Sequence, residues 1–340
     1  MKRIGVLGAG SFGTALAIHC ARHGMETLLW ARSAEMADGL NRSRVNERYL
    51  PAVELPPTLA ATAELGALDG CSLVLVAVPS HGFREVVRNY FAASGSREGL
   101  TMVSASKGIE TDGHARMSEV LKTEAARAGR EVAAAALSGP TFAGELARGV
   151  ASAAVVAAET EEVATTLCAE LASPSFRLYS STDLAGVELG GATKNVIAIG
   201  AGMIHGLGLE QKTGQNTQAA LITRGLHELT RLGVACGGRP STFSGLAGLG
   251  DLVLTCTGGA SRNRAAGESL ARGLSLDDIR QATHSVAEGL VNARSVASLA
   301  ADRGVEVPIT EQMNAVIYEG KPPAAALAAL MTRDLKAETQ

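Results

Sequence analysis

The stretch "GLGDLVLTCTGGASRNR" (248–264) gathers charged and amide side chains at the end of an apolar run. Arg262 and Arg264 flank Asn263 directly after a Gly-Gly break. A guanidinium presents several donors in one plane, an arrangement that suits a phosphate group. The spacing therefore predicts a phosphate-binding site, and a solvated surface loop is the alternative.

Lys194 is the second residue whose setting suggests chemistry. Helical spacing in "GVELGGATKNVIAIGAGM" (186–203) places it on one face with small or apolar residues, namely Val187, Gly190, Gly191, Ala198 and Ala201. Burial beside cations such as Lys107 or Arg262 would lower the pKa of this lysine and allow proton exchange near neutral pH. The alternative is a lysine that extends along its helix to reach solvent.

A glycine motif near the start predicts a nucleotide site. In "GAGSFG", Gly8, Gly10 and Gly13 follow an apolar strand and open a helical stretch. Gly8 would permit the tight turn, Gly10 the approach of a pyrophosphate, and Gly13 the packing of helix on strand. Backbone N–H groups at the helix start would then hold the phosphates. A glycine-rich turn without a ligand is the alternative.

The end of the second strand bears on the choice of cofactor. An acidic residue that binds the ribose 2′-hydroxyl is expected there, but the sequence has Arg32 and Ser33. Arg32 could pair with a 2′-phosphate, so we expect NADPH/NADP to be preferred and NADH/NAD to be accepted. Glu35 argues in the other direction, and an exposed loop arginine without a ligand is the alternative.

Three further stretches follow predicted strand ends, where open α/β sheets bind ligands: "AVPSH" (77–81), "SASKGIE" (104–110) and "LSGPTFAGE" (137–145). Lys107 could reach across such a crevice or lie in an ordinary solvated turn. Thr141 could cap the next helix, and Asp251 is equally suited to a helix N-cap. The sequence leaves both interpretations open for these three residues.

These candidates need a sheet and helices to position them. Short apolar runs predict strands at 3–8, 26–31, 72–78, 100–106, 132–138, 151–158 and 175–180. Helical stretches lie between them at 11–23, 81–93, 114–128 and 161–171. Several strands are apolar on both faces, as in a parallel sheet covered by helices. The pattern predicts an α/β Rossmann-type N-terminal domain with a parallel-rich sheet, at 1–181.

The remaining residues, 182–340, predict a mostly α-helical C-terminal domain. Helical patterns cover 183–205, 215–233, 263–272, 287–303, 309–319 and 323–333. The run 248–256 fits either a strand or a helix, and its helical neighbours favour a helix. The chain has 340 residues, which fits two domains.

Composition excludes several classes of protein. The 31 basic and 34 acidic side chains give a formal charge of -3, so a nucleic-acid-binding surface is not indicated. The longest apolar run after Lys194 is "NVIAIGAGMIHGLGL", shorter than the roughly 20 residues of a membrane helix. No His, Cys and carboxylate cluster has metal-ligand spacing, so we expect no metal.

The cysteines bear on the compartment. The chain has five, with no CxxC pair, which is typical of reduced core thiols in a cytoplasmic protein. The alternative is a secretory signal, because two early cations, an apolar stretch and Ala15-Leu16-Ala17 imitate one. The glycines of that stretch favour the strand-turn-helix interpretation. An Ala-rich face in the second domain makes a homodimer plausible.

Taken in order, the motifs resemble one known family. These are "GAGSFGTALA", "SASKGIE", "SGPTFAGELARG", "VELGGATKNVIAIGAG", "NTQAALITRGLHEL", "TFSGLAGLGDLVLTC", "SRNR" and "VAEG". The chain resembles the bacterial NAD(P)-dependent glycerol-3-phosphate dehydrogenase family over almost its whole length. The resemblance implies a Rossmann-type domain, a helical domain, and interconversion of sn-glycerol 3-phosphate and dihydroxyacetone phosphate, chiefly towards the former, for phospholipid synthesis.

The resemblance also implies residue roles. Lys194 matches the family's proton donor and acceptor, and Lys107 a lysine that contacts cofactor and substrate. Substrate-binding positions are matched by Gly139, Thr141, Asp251, Ser261, Arg262 and Asn263. Cofactor-binding positions beyond the glycine motif are matched by Ser11, Phe12, Arg32, Tyr49, Lys107, Ala143, Arg262, Val286 and Glu288. Arg262 and a helix beginning near Ser261 resemble a clamp for the substrate's phosphate.

The resulting hypothesis is hydride transfer from a reduced nicotinamide to C2 of dihydroxyacetone phosphate, with Lys194 protonating the developing alkoxide. Lys107 would stabilise that oxygen in place of a metal. Two alternatives remain. One is a related 3-hydroxyacid or 6-phosphogluconate-type dehydrogenase, and the other is a non-catalytic NADPH-binding regulator, since a fold alone does not determine function.

Overall fold

The first half of the chain is built on a sheet. The computed structural model describes residues 2–95, 99–208, 213–282, 287–335 and 337–338. Its strands are β1 (Arg3–Leu7), β2 (Glu26–Trp30), β3 (Val45–Asn46), β4 (Leu50–Glu54), β5 (Leu59–Thr62), β6 (Leu73–Val76), β7 (Thr101–Ser104), β8 (Ala133–Ser138), β9 (Ser152–Ala158) and β10 (Phe176–Ser181).

Eight of these strands form one sheet in the order β10-β9-β8-β7-β6-β1-β2-β5, and β3 pairs with β4 in a separate antiparallel ribbon. Six neighbouring strands of this sheet run parallel, namely β5, β2, β1, β6, β7 and β8. Strand β9 is antiparallel to β8, and β10 is parallel to β9. The predicted parallel-rich Rossmann-type sheet is therefore confirmed. The carboxyl ends of β1, β2, β6, β7 and β8 lie at one edge, where ligands bind in this architecture.

Helices cover both faces of the sheet. They are α1 (Ser11–Arg22), α2 (Ala34–Ser43), α3 (Ser80–Ala93), α4 (Met117–Arg127), α5 (Ala143–Arg148) and α6 (Glu161–Leu171). One core joins α1, α2, α5 and α6 to the sheet, and a second core joins α3 and α4 to the opposite face. Every residue of β6 is buried because both faces are covered, which explains its uninterrupted apolar sequence.

The second half is helical, as predicted. It contains α7 (Leu184–Gly208), α8 (Gln215–Ala235), α9 (Pro240–Phe243), α10 (Asp251–Thr257), α11 (Arg262–Ala271), α12 (Leu276–Ala282), α13 (Glu288–Asp302), α14 (Pro308–Tyr318) and α15 (Pro323–Met331). The run 248–256, for which a helix was favoured, forms the end of a π-helical turn (Leu246–Gly250) and most of α10.

Helix α7 is the centre of the second half, and almost all of its residues are buried. It packs against α8, α10, α11 and α13. A Cβ on Gly202 would lie 1.9 Å from the carbonyl oxygen of Arg264, so α7 and α11 cross in backbone contact. At its start, Leu184 and Val187 share an apolar cluster with Ala136 and Ala157 of the sheet. The crossing and this cluster fix α7 relative to α11 and to the sheet.

Several short elements were not predicted, including β3, β4, β5 and α2. Strand β5 reads "LAAT" and lies at the edge of the sheet, so it carries little of the β-branched signal that marks the central strands. Within the described ranges, no helix combines the length and apolar character needed to cross a bilayer.

Candidate active site

The turn between β1 and α1 has the geometry that the glycine motif predicts. Gly8 has a φ of +112°, and a Cβ there would lie 2.6 Å from the carbonyl oxygen of Ala77. A Cβ on Gly13 would lie 1.9 Å from the carbonyl oxygen of Gly8. Beside Gly10, by contrast, a Cβ would meet no described atom within 4 Å. Glycine is thus required for the turn and for helix packing, and the space over Gly10 is open to a ligand.

The first turn of α1 presents N–H groups that no described side chain caps. Gly10 is its N-cap residue, and among the described residues no side chain caps it and no acidic residue lies in its first turn. Ser11 and Phe12 are the first two helical residues, and both are half-buried. N–H groups at a helix start favour an anion, so these residues fit the pyrophosphate of a dinucleotide.

Asn46 ties the β3–β4 ribbon to the glycine turn. Its amide nitrogen donates to the carbonyl of Ala9 at 3.0 Å and to the hydroxyl of Thr14 at 2.7 Å. The backbone N–H of Tyr49 donates to its amide oxygen at 3.3 Å. Asn46 was not predicted as a site residue, and it brings the candidate Tyr49 to the glycine turn.

Arg32 follows β2 and is exposed, and Glu35 is exposed in the first turn of α2. Ser33 caps α2, because its hydroxyl accepts the N–H of Met36 at 3.3 Å. Strand β2 is the parallel neighbour of β1, so Arg32 lies at the sheet edge next to the glycine turn. This is the edge at which a dinucleotide's adenosine ribose is bound in such sheets.

Two lysines contact one carboxylate, and the Nζ of one of them, Lys107, lies 5.9 Å from the centre of the Phe12 ring in the first turn of α1. Lys107 Nζ donates to Asp251 Oδ2 at 2.7 Å and to the carbonyl oxygen of Gly139 at 2.9 Å. Lys194 Nζ donates to Asp251 Oδ1 and to the hydroxyl of Thr255 at 2.8 Å. Asp251 and Lys194 are almost fully buried, with exposed side-chain fractions of 1% and 5%. The structure therefore brings together Lys107 from the sheet edge with Lys194 and Asp251 from the helical half.

The environment of Lys194 lowers its pKa. Burial is the largest cause and brings the pKa down to about 8, an effect that the charge of Asp251 opposes and that of Lys107 reinforces. An ammonium with a pKa near 8 can give up and regain its proton close to neutral pH. The predicted lowering by burial and by Lys107 is confirmed for this residue.

Asp251 does not act as a helix cap. It is the first residue of α10, Gly250 holds the N-cap position, and its described hydrogen bonds are to Lys107, Lys194 and Thr255. Thr255 lies one helical turn later and donates to the Asp251 carbonyl oxygen at 2.6 Å. Thr255 was not predicted as a site residue, although the i, i+4 spacing from Asp251 places both residues on one helix face.

The turn after β8 supports Lys107 from the opposite side. Gly139 supplies the carbonyl that accepts from the Lys107 ammonium, and Ala143 is the first residue of α5. Thr141 does not cap that helix, because Phe142 holds the N-cap position and the Thr141 hydroxyl donates to Gly139 at 3.3 Å. The cap alternative for Thr141 is therefore wrong, since the local turn takes its hydroxyl.

The candidate phosphate-binding residues start α11. Ser261 is the N-cap, and its hydroxyl accepts the N–H of Arg264 at 3.2 Å. Arg262 is the first helical residue and is exposed. The Asn263 side chain is buried and bonded on both sides, to Asn195 at 2.8 Å and to the N–H of Gly289 at 2.9 Å. A phosphate here would therefore meet the Arg262 guanidinium and the backbone of Asn263 rather than the Asn263 amide.

Glu288 is the first residue of α13 and is half-buried. Loss of solvent raises the pKa of its carboxyl group, and the positive charges of Arg262, Lys107 and Lys194 act in the opposite direction. Glu288 is therefore within electrostatic reach of both lysines. The candidate Val286 lies outside the described residues. Among the residues that are described, no group of three or more His, Cys, Asp and Glu side chains could hold a metal ion.

Family models of known proteins match both halves of the chain. A model of the NAD-dependent glycerol-3-phosphate dehydrogenase N-terminus matches residues 3–164, and a model of the C-terminus of the same enzyme matches residues 183–328. The chain belongs to the NAD-dependent glycerol-3-phosphate dehydrogenase family. The glycine turn lies within the first matched range, and Lys194, Asp251 and Arg262 lie within the second.

Relatives within this family match over nearly their whole length. Proteins named glycerol-3-phosphate dehydrogenase [NAD(P)+] from Geobacter sulfurreducens and Nitratidesulfovibrio vulgaris (strain Hildenborough) are 48% and 47% identical, and each match covers 99% of this chain and at least 99% of the relative. A crystal structure of glycerol-3-phosphate dehydrogenase from Coxiella burnetii has a TM-score of 0.91 and 39% identity, covering 98% of this chain and 99% of that one. The family and its two-part architecture are thus shared with these proteins.

Proposed function

We propose that the chain reduces dihydroxyacetone phosphate to sn-glycerol 3-phosphate, with Lys194 as proton donor and NADPH as preferred cofactor. By family membership it is an NAD(P)-dependent glycerol-3-phosphate dehydrogenase, an oxidoreductase. The observation that carries the mechanism is the buried contact of Lys194 and Lys107 with Asp251. In this contact Lys194, whose pKa is lowered, lies beside the positive charge of Lys107, which supports its proposed role as proton donor.

The substrate would be held at both ends. The Arg262 guanidinium and the N–H groups at the start of α11 suit its phosphate, because a helix start and a planar donor set both favour that anion. The carbonyl oxygen at C2 would face the Lys194 ammonium. When bound, the reduced nicotinamide supplies the hydride.

Side chains of the protein then stabilise the negative charge that develops on the C2 oxygen and protonate it. Lys194 donates its proton to the C2 oxygen as negative charge develops there, and Asp251 keeps both ammonium groups in place. Lys107 stabilises the same oxygen, and the Gly139 carbonyl fixes the direction of its Nζ. In the reverse direction Lys194 acts as the base, so its amine form is needed.

Cofactor choice rests on Arg32. An arginine at the end of β2 suits a 2′-phosphate, and the chain has no acidic residue between Trp30 and Ala34. The remaining candidates, Tyr49, Ala143, Val286 and Glu288, are proposed to surround the cofactor. We also propose the division into domains at 1–181 and 182–340, a cytoplasmic location, a homodimer, and a role in supplying phospholipid synthesis.

The test is the initial rate of NADPH absorbance loss when dihydroxyacetone phosphate is added to purified protein in a chelator, with NADH run in parallel. Turnover that survives chelation supports the metal-free lysine mechanism. A higher kcat/KM with NADPH than with NADH, reversed or abolished by Arg32→Ala, supports the role of Arg32. Absence of turnover from protein that binds NADPH would overturn the proposal in favour of a regulator or another hydroxyacid substrate.

A further inference from the structure

The backbone carbonyl of Lys107 is held by two buried asparagines from the other half of the chain. Asn292 Nδ2, on α13, donates to it at 2.9 Å, and Asn195 Nδ2, on α7, donates at 3.2 Å. Asn292 has no exposed surface, and its Nδ2 also donates to the carbonyl oxygen of Ala192 on α7 at 3.1 Å. The Asn292 Oδ1 is buried without a described hydrogen-bond partner, so the anchoring depends on Nδ2. A buried N–H donor is costly unless it is bonded, so the Nδ2 contacts hold their partners in place.

These bonds continue into a ring that joins the candidate catalytic segments. Asn195 Oδ1 accepts from Asn263 on α11, and Asn263 Oδ1 accepts from the N–H of Gly289 on α13, the helix that carries Asn292. Four segments are joined in this way. Helix α7 carries Lys194, α11 carries Arg262, α13 carries Glu288, and the loop after β7 carries Lys107. Asn292 supplies the connection from α13 to the Lys107 loop.

Lys107 needs such an anchor because its side chain is long. Four rotatable bonds separate its Cα from the ammonium that contacts Asp251 and Gly139. Holding the backbone carbonyl fixes the origin of the side chain and so restricts where the ammonium can lie. The described hydrogen bonds of the Asn292 side chain go to the backbone of Lys107 and Ala192, not to the side chains of Lys194 or Asp251.

We propose that Asn292 is a positioning residue, which fixes the Lys107 ammonium against Asp251 by hydrogen-bonding the Lys107 carbonyl. The inference rests on the proposed function for its kinetic consequence, whereas the anchoring itself is a property of the fold. Asn292 is not among the residues that the family resemblance assigns to cofactor or substrate.

Loosening Lys107 has a predictable effect on Lys194. The charge of Lys107 lowers the pKa of Lys194, and Lys107 shares Asp251, whose charge raises it. When Lys107 moves away, both changes raise the pKa of Lys194. Among the residues that the structure describes, Cys256 on α10 and Glu288 on α13 also interact electrostatically with Lys194, and Asn292→Ala changes neither.

The experiment compares Asn292→Ala and the similarly sized Asn292→Leu with two controls on the same helix. Ser295→Ala removes a buried hydroxyl that has no hydrogen-bond partner among the described residues, and Val296→Ala opens a cavity in the apolar core of the helical half. Steady-state rates with NADPH and dihydroxyacetone phosphate are measured across pH, and amide hydrogen exchange is followed in segment 105–110.

We expect both Asn292 variants to lower kcat about tenfold, to move the pH at which reduction declines upward by about 0.5 unit, and to speed exchange in 105–110. Both controls should leave the pH midpoint and the exchange of that segment unchanged. The proposal is overturned if the Asn292 variants match Val296→Ala in all three measurements. If wild-type protein shows no turnover, the proposed function fails, and exchange in 105–110 still decides whether Asn292 anchors the loop.

Discussion

Two carboxylates, Asp251 and Glu228, are buried to the same degree, each with 1% of the residue exposed, and their partners differ in kind. Asp251 binds the ammonium groups of Lys107 and Lys194. Glu228, on α8, accepts from backbone N–H groups at the start of α14, from Ile309 at 2.7 Å and from Thr310 at 2.8 Å. The Thr310 hydroxyl adds a third bond at 2.5 Å.

The comparison shows that burial alone does not mark a reactive carboxylate. The donors to Glu228 are neutral and do not titrate, so this side chain works as a helix cap supplied from another helix. The donors to Asp251 are cations, and one of them, Lys194, has a pKa lowered to about 8. Replacing a residue at the Asp251 site should therefore change chemistry, and replacing one at the Glu228 site should change stability.

The largest effect should come from Lys194→Met, which removes the proposed proton donor and keeps much of the side-chain volume. We expect kcat for dihydroxyacetone phosphate reduction to fall about 10²- to 10⁴-fold, the usual contribution of a general acid. Glu228→Gln is the matched control, because it also replaces a buried ionisable residue with a neutral one. Its kcat should equal the wild-type value at temperatures at which the variant is folded. A Lys194→Met protein with more than a tenth of the wild-type kcat would show that another group supplies the proton.

Asp251→Asn tests the electrostatics with little change of shape. In the wild type the rate of reduction should be high while Lys194 is an ammonium and should decline as pH rises through about 8. The carboxylate raises the pKa of Lys194, so its loss should move that decline to lower pH and reduce kcat about tenfold or more. The measurement is a pH–rate profile, and an unmoved midpoint would contradict the assignment. This direction is opposite to the one expected for the Asn292 variants.

Glu228→Ala should act on stability instead. It leaves the N–H groups of Ile309 and Thr310 buried and without their acceptor, so we expect a loss of about 2 to 3 kcal/mol in the free energy of unfolding. Urea unfolding measures the loss, and kcat should be unchanged at temperatures where the variant is folded. A fall in kcat without a fall in stability would break the comparison.

The smallest effect should come from Thr310→Val, which removes only the hydroxyl that donates to Glu228. The two backbone N–H bonds remain, so a loss of about 1 kcal/mol is expected by urea unfolding. The pH–rate midpoint should stay at the wild-type value. If Thr310→Val cost as much stability as Glu228→Ala, the backbone N–H groups would not be the main partners of Glu228.

The sequence predicted what depends on neighbouring residues. The glycine turn, the central strands and α7 follow from local spacing, and Lys194 was identified by the small residues on its helix face. The short β5 was missed because alanine and threonine at a sheet edge give a weak signal. Thr141 was open to a cap that it does not form, because a hydroxyl can bond equally well within a turn.

The site was harder to predict where it depends on distant residues. The pairing of Lys107 with Asp251 spans 144 positions, and the bond from Asn292 to the Lys107 carbonyl spans 185. Local spacing in the sequence does not predict contacts over such distances, because they depend on how whole helices pack on the sheet. Thr255 could have been predicted from the sequence, because it lies one helical turn after the candidate Asp251.

The hydrogen bonds from Asn195 and Asn292 to the Lys107 carbonyl have a consequence for exchanging parts between relatives. A hybrid joined near residue 182 would take the Lys107 loop from one parent and both asparagines from the other. Such a protein could keep a complete cofactor turn and a complete α7 and still hold Lys107 loosely. Functional hybrids are therefore expected when the parent that supplies the helical half carries both asparagines, or when segment 105–110 is transferred together with the helical half.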